Sequence, residues 1–274
     1  MDSVTRSGLL CLGAIVALGL AWSAYRVFGP SPSERLADLI QAERWVDAEA
    51  LARDALADAA EHERADLQRG LGIALGRQRE HIEAIEAYRA AYALRPEDAD
   101  LRHRVAIEMV GVGRQHDERG ETDNALARYR EAVTTAPEIP HGHRALVTAL
   151  HALGRTDDTI AALQAALAAG SHDVQHRVQL AWLLATHPDP AKRDAEAAAE
   201  LAQEVLIHDR TPETLDTYAV ALGALGHYAE AIRFELDAIE LAGGKEGPDF
   251  ERYRTRLKAF VEKRPYVDSA SPQR

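Results

Sequence analysis

Gly70-x-Gly72-x-x-x-Gly76, Gly243-Gly244-Lys245 and a set of twelve histidines are the places where this sequence could do chemistry. The first has the look of a phosphate-cradling loop. Such a loop needs an apolar strand before it and a different final spacing, so that a helix N-terminus meets the phosphate. Both are missing here, and the glycines read instead as positions where helices approach closely. Gly243-Gly244-Lys245 is followed by Glu246, where a phosphate loop places Ser or Thr for magnesium. His62-Glu63 lacks a second histidine at zinc spacing, and no Gly-x-Ser-x-Gly elbow occurs. His172 and His176 stand four apart on an expected helix, with His141, His143 and His151 about one repeat earlier. Two imidazoles so spaced could share a metal ion if a third ligand came from a neighbouring helix. They open a polar stretch, where solvated histidines cost nothing, and no metal site is assigned.

The carboxylates are many but scattered. No pair is expected inside an apolar segment that would raise a pKa for acid–base work. With 44 Asp and Glu against 32 Lys and Arg, the formal charge of −12 argues against a nucleic-acid partner. The one cysteine, Cys11, excludes an internal disulfide, a CxxC pair and a multi-cysteine zinc site. These residues predict a non-enzymatic protein with no cofactor.

What remains is architecture. Alanine supplies 52 of 274 residues and aromatics only 5%, which points to close-packed helices, an all-α chain. At the front, residues 7–25 form an uncharged run between Arg6 and Arg26. A helix of that run spans roughly 28 Å, close to the hydrocarbon core of a bilayer. Trp22, Tyr25 and Phe28 cluster at one end, as interfacial rings do. Residues 1–28 are therefore read as an N-terminal transmembrane helix, with a cleaved signal peptide as the rival reading. The flanking Lys and Arg slightly favour a cytoplasmic body, whereas the short, signal-like front favours export. The expected location is a membrane, crossed once, with the soluble part outside the cytoplasm. Residues 29–33, Gly-Pro-Ser-Pro-Ser, read as a linker, with Ser33 capping a helix from Glu34.

From residue 34 to 245 the chain repeats. A small residue, a variable one at +4, a small one at +7 and an apolar one at +8 recur six times. The copies begin at Ala48, Ala84, Ala125, Thr159, Ala198 and Ala231, spaced 36, 41, 34, 39 and 33 residues apart. These positions share one helix side, where small groups admit a neighbouring helix. Gly120, Gly154 and Gly226 stand five residues ahead of a copy and end the preceding helix. Pro96 and Pro137, twelve residues on, stop the second helix. Each unit thus reads as helix, turn, helix, stop.

Ala84-Ile85, Tyr88, Ala91 and Pro96, the segment from Gly120 to Pro137, and Gly226, Tyr228 and Ala231-Ile232 resemble the tetratricopeptide repeat (TPR) family. Thr159 replaces the usual alanine, and Glu235 stands where an aromatic or large residue is usual. Leu180–Pro190 is similar to a TPR variant common in bacterial proteins, with Pro188-Asp189-Pro190 lengthening the turn. The resemblance implies an α-solenoid of about six helix hairpins. Residues 246–274 follow as a capping helix and tail, in which Asp249 caps the helix and Phe250, Tyr253, Leu257, Phe260 and Val261 face inward.

A TPR solenoid presents the first helix of each hairpin to a concave groove that takes an extended peptide or a helix. Placed by the repeat register, the partner-binding candidates are Arg114, His141, Arg144, Thr148, His151, Gln175 and Trp182. Trp182 is either an exposed anchor for a partner or a core residue of Leu180–Leu184. The chaperone-adaptor form of the family grips a carboxylate with lysines and asparagines. Here Asn124 is the only asparagine and no lysine precedes Lys192, so that clamp is not built. The expected function is a membrane-tethered protein–protein interaction scaffold. The alternative is an accessory TPR subunit of an envelope biogenesis machine, as in cytochrome c maturation.

Overall fold

The computed structural model describes residues 30–268. The expected membrane segment, residues 7–25, lies outside them. Among the described residues there are thirteen α-helices and no strand. None of these helices is long and apolar enough to cross a membrane. The chain divides into two compact units, one ending at Glu108 and the other starting at Met109.

The first unit contains α1 (Pro32–Gln41), α2 (Trp45–Asp58), α3 (Glu61–Arg77), α4 (His81–Leu94) and the beginning of α5 (Ala99–Glu118). Helix α1 starts two residues ahead of expectation. Ser31, rather than Ser33, caps it: its hydroxyl accepts from the Glu34 N–H at 3.2 Å, and Glu34 accepts from the Ser31 N–H at 2.7 Å. Pro32 fits the first helical position, where no N–H is needed. Helix α1 packs on both α2 and α3.

The three glycines of α3 explain that packing. Gly70 faces Leu36 and Ile40 of α1, Gly72 faces the Tyr88 ring of α4, and Gly76 faces the Glu108 carboxylate. A Cβ on Gly72 would lie 2.9 Å from three ring carbons of Tyr88. These residues are contact points between helices, as the missing strand implied. Tyr88, Leu67, Leu75 and Leu101 are almost wholly buried. Each such side chain contributes roughly 1.5–3 kcal/mol of hydrophobic stabilisation.

The second unit holds the rest of α5 and eight further helices in sequence. They are α6 (Thr122–Thr135), α7 (Pro140–Ala152), α8 (Thr156–Ala168), α9 (Val174–Thr186), α10 (Ala195–His208), α11 (Pro212–Ala224), α12 (Tyr228–Leu241) and a final α13 (Phe250–Val261). Gly113 meets the Tyr129 ring as Gly72 meets Tyr88, sixteen residues apart in both cases. Turns at Gly120, Gly154 and Gly226 have φ of +74°, +66° and +82°, the left-handed backbone for which glycine is suited. Thr159, the odd small residue, is fully buried and donates its hydroxyl to the Arg155 carbonyl at 2.9 Å.

The Pro188-Asp189-Pro190 insertion is pinned rather than loose. His187 ends α9, is buried, and lies 3.2 Å from Asp157 at the start of α8; Lys192 reaches the same carboxylate at 2.6 Å. Asp194 then caps α10. First helices also touch one another: α9 packs on α11, and α11 on α13.

Helix α13 closes the last hairpin through Leu215, Ala238, Ile239 and Tyr253, with Phe260 lying over Gly223. Two expectations fail here. Val261 is 63% exposed, because the inward stripe runs through Tyr253, Arg256 and Phe260 and leaves Val261 a turn's edge away. Asp249 makes no side-chain cap; the Phe250 N–H bonds instead to the Gly247 carbonyl, which the Gly-rich loop brings round.

Candidate functional site: the first-helix face of the second unit

Six of the seven candidate side chains are in solvent. Arg114 is exposed near the end of α5, and His141, Arg144, Thr148 and His151 are exposed along α7. Spacings of three, four and three residues place those four on one stripe of the helix. Arg144 donates to Asp173 at 2.9 Å, and Asp173 accepts from the Gln175 N–H as the cap of α9. The α7 stripe is thereby joined to exposed Gln175. Arg114 has no such link among the described contacts.

The histidine cluster does not assemble. Asp173 caps α9, so His172 precedes the helix and is exposed, while His176 is buried against the Ser171 hydroxyl at 3.1 Å. Burial lowers the His176 pKa. His143 is likewise buried, 2.9 Å from the Pro137 carbonyl. Among the described residues no three His, Cys, Asp or Glu side chains gather as a metal set.

Trp182, seven residues beyond Gln175 on the same side of α9, is half-buried, and the chain's own C-terminal segment covers it. Its indole Nε1 donates to Asp268 at 3.2 Å, and its ring centroid lies 5.9 Å from that of Tyr266. The Arg256 guanidinium sits 4.5 Å above the Trp182 ring, 5.2 Å from the Tyr266 ring and 5.8 Å from the Tyr253 ring. Cation–π geometry of this kind is strongest where water is excluded. Trp182 is thus neither a free anchor nor part of the hairpin core.

Beneath the rings lies a buried ionic cluster. Arg256 of α13 donates to Asp216 of α11 at 2.8 Å, with side-chain exposures of only 5% and 3%. Glu235 of α12 is fully buried, and no N–H or hydroxyl donor reaches either of its oxygens. Burial, then the adjacent Asp216 charge, pushes its pKa up to about 10. Of the two neighbouring acids it is the one more strongly held towards the neutral form. Asp216 is itself raised, to about 6, by burial that outweighs Arg256. Both shifts favour a cluster with less negative charge than two free carboxylates would bring beside Arg256. This corrects the expectation that no carboxylate pair is buried. The two acids lie nineteen residues apart on different helices, each singly inside an apolar helix. The only sequence signal was Glu235 itself, an acid at a position that wants bulk.

Small residues buried at the helix crossing recur from hairpin to hairpin; a tyrosine lies over a glycine in two of them, at Gly72 and Gly113, and a left-handed residue makes the turn at Glu43, Arg79, Gly120, Gly154 and Gly226. The hairpins are similar to those of tetratricopeptide-repeat proteins. No protein-family model matches the chain, and no curated relative does. Solved TPR proteins are similar to it. A thermophilic TPR protein of Thermus thermophilus is 19% identical over 74% of this chain and 100% of its own, with a TM-score of 0.40. YrrB, a TPR protein with an unusual peptide-binding site, is 17% identical over 76% and 97%, at 0.49. Pseudomonas aeruginosa PilF is 16% identical over 82% and 95%, at 0.46.

Proposed function

We propose that this chain is a non-enzymatic protein-interaction scaffold, held at a bacterial inner membrane by residues 7–25 with its helical body in the periplasm. The first-helix face of the second unit takes an extended segment or a helix of a partner protein. The observation that carries this reading is the stripe of His141, Arg144, Thr148 and His151, exposed on a first helix and joined to Gln175 through Asp173. It offers charge, hydroxyl and imidazole donors on a rigid helix, which suits recognition of a polypeptide backbone and its acidic groups. The apolar side of each hairpin is consumed by packing, so affinity comes from this polar face and its few rings.

The test is site-specific photo-cross-linking in intact cells. A photoreactive residue at 148 or 151 gives a discrete protein adduct, and one at Gln164, exposed on second helix α8, does not. Equal labelling from both faces, or none from 148 and 151, overturns the reading. Extraction with carbonate leaves the full chain in the membrane fraction if residues 7–25 anchor it; release into the wash removes the tether.

A further inference from the structure

Helix α13 is followed by a built turn. Lys263 adopts a left-handed φ of +54°, and the next residue, Arg264, returns its N–H to the Ala259 carbonyl at 2.9 Å. Residues 264–268 then run on without helix or turn. Tyr266 and Asp268, two apart in an irregular segment, both meet Trp182: one by its ring, the other by a carboxylate. Their contacts come from α9 and α13, both first helices, which α11 joins. A short peptide-like segment therefore occupies the same face to which the partner-binding stripe belongs. Its recognition elements are an aromatic ring held by Arg256 and a carboxylate held by an indole N–H.

We propose that Pro265–Asp268 is an intramolecular ligand of the first-helix face, and that the external segment competing with it carries an aromatic side chain followed two residues later by a carboxylate. The proposal rests on the function proposed above and adds its regulation. The face is closed at Trp182 until such a segment displaces the tail. An Arg256 already paired with Asp216 does not move to accommodate a ligand, so the cradle is preformed and both segments meet the same geometry. Competition of this kind lowers apparent affinity by the fraction of molecules whose site is open.

The experiment uses the detergent-solubilised full chain and a fluorescein-labelled peptide of residues 262–268, capped at both ends. The variant Tyr266→Ala/Asp268→Ala, its circular dichroism unchanged, binds the peptide at least about tenfold more tightly than the unaltered chain. Adding Trp182→Ala to that variant abolishes the binding. Equal affinity of the two chains, or no saturable binding by the tail variant, overturns the proposal. Cross-links from positions 148 and 151 report on the face independently. Their presence alongside failed competition removes the tail as occupant and leaves the binding face, whereas their absence removes the face itself.

Discussion

Arg256 of the final helix donates to Asp216 of α11 at 2.8 Å, with both side chains buried, and this pair ties the closing helix to the last hairpin. Removing one partner leaves the other charged and out of water. Asp216→Ala and Arg256→Ala are each expected to cost about 3–5 kcal/mol in urea denaturation. Replacing all three members, Asp216→Leu, Glu235→Leu and Arg256→Met, costs far less than either single change, because no orphaned charge remains. A triple variant as unstable as the singles contradicts this account of the cluster.

Glu235 makes stability depend on pH in a defined direction. Its pKa in the folded chain is raised above the ordinary 4.5. The folded state therefore keeps a proton that the unfolded state loses, and stability falls as pH rises from about 4.5 towards 10. The slope is at most about 1.4 kcal/mol per pH unit. Raised Asp216 acts in the same sense from 3.8 upward. Glu235→Gln has nearly the same shape and cannot ionise. Its stability should match the unaltered chain near pH 5 and exceed it by more than about 1 kcal/mol by pH 7.5. A difference independent of pH would contradict a neutral Glu235.

Gly72 and Gly120 are needed for different reasons, and substitutions separate them. Gly72→Ala drives a methyl into the buried Tyr88 ring and is expected to cost about 1–3 kcal/mol. Gly120 has open space around it and a φ of +74°, so Gly120→Ala costs about 1 kcal/mol through backbone strain alone. Asparagine tolerates that backbone, so Gly120→Asn recovers most of the loss, while Gly72→Asn is worse than Gly72→Ala. Thermal denaturation of the four variants distinguishes the cases.

The hairpins were legible because helix packing leaves a periodic record. Ala84, Tyr88 and Ala91 must share one side, and Gly120, Gly154 and Gly226 must turn the chain. The same turn position is filled by Glu43 and Arg79, at φ of +55° and +65°, in the first two hairpins, where no glycine marks it. Capping was misread at Ser33 because Pro32 fits inside a helix start as readily as before one. The ionic cluster was not legible because Asp216, Glu235 and Arg256 come from three helices, and only Glu235, an acid where the repeat wants bulk, stands out in its own segment. The covering of Trp182 was equally hidden: Asp268 reaches it across 86 residues of sequence, beyond any local pattern.

The central claim is that the first-helix face of the second unit recognises a partner protein. Titration of the cross-linked partner against the full chain carrying His141→Ala, Thr148→Ala and His151→Ala tests it most directly. All three side chains are exposed, so the melting temperature should stay within a few degrees of the parent. The account predicts at least a tenfold weaker Kd for this variant and an unchanged Kd for Gln164→Ala on the opposite helix. An unchanged Kd for the triple variant, or an equal loss for Gln164→Ala, contradicts it.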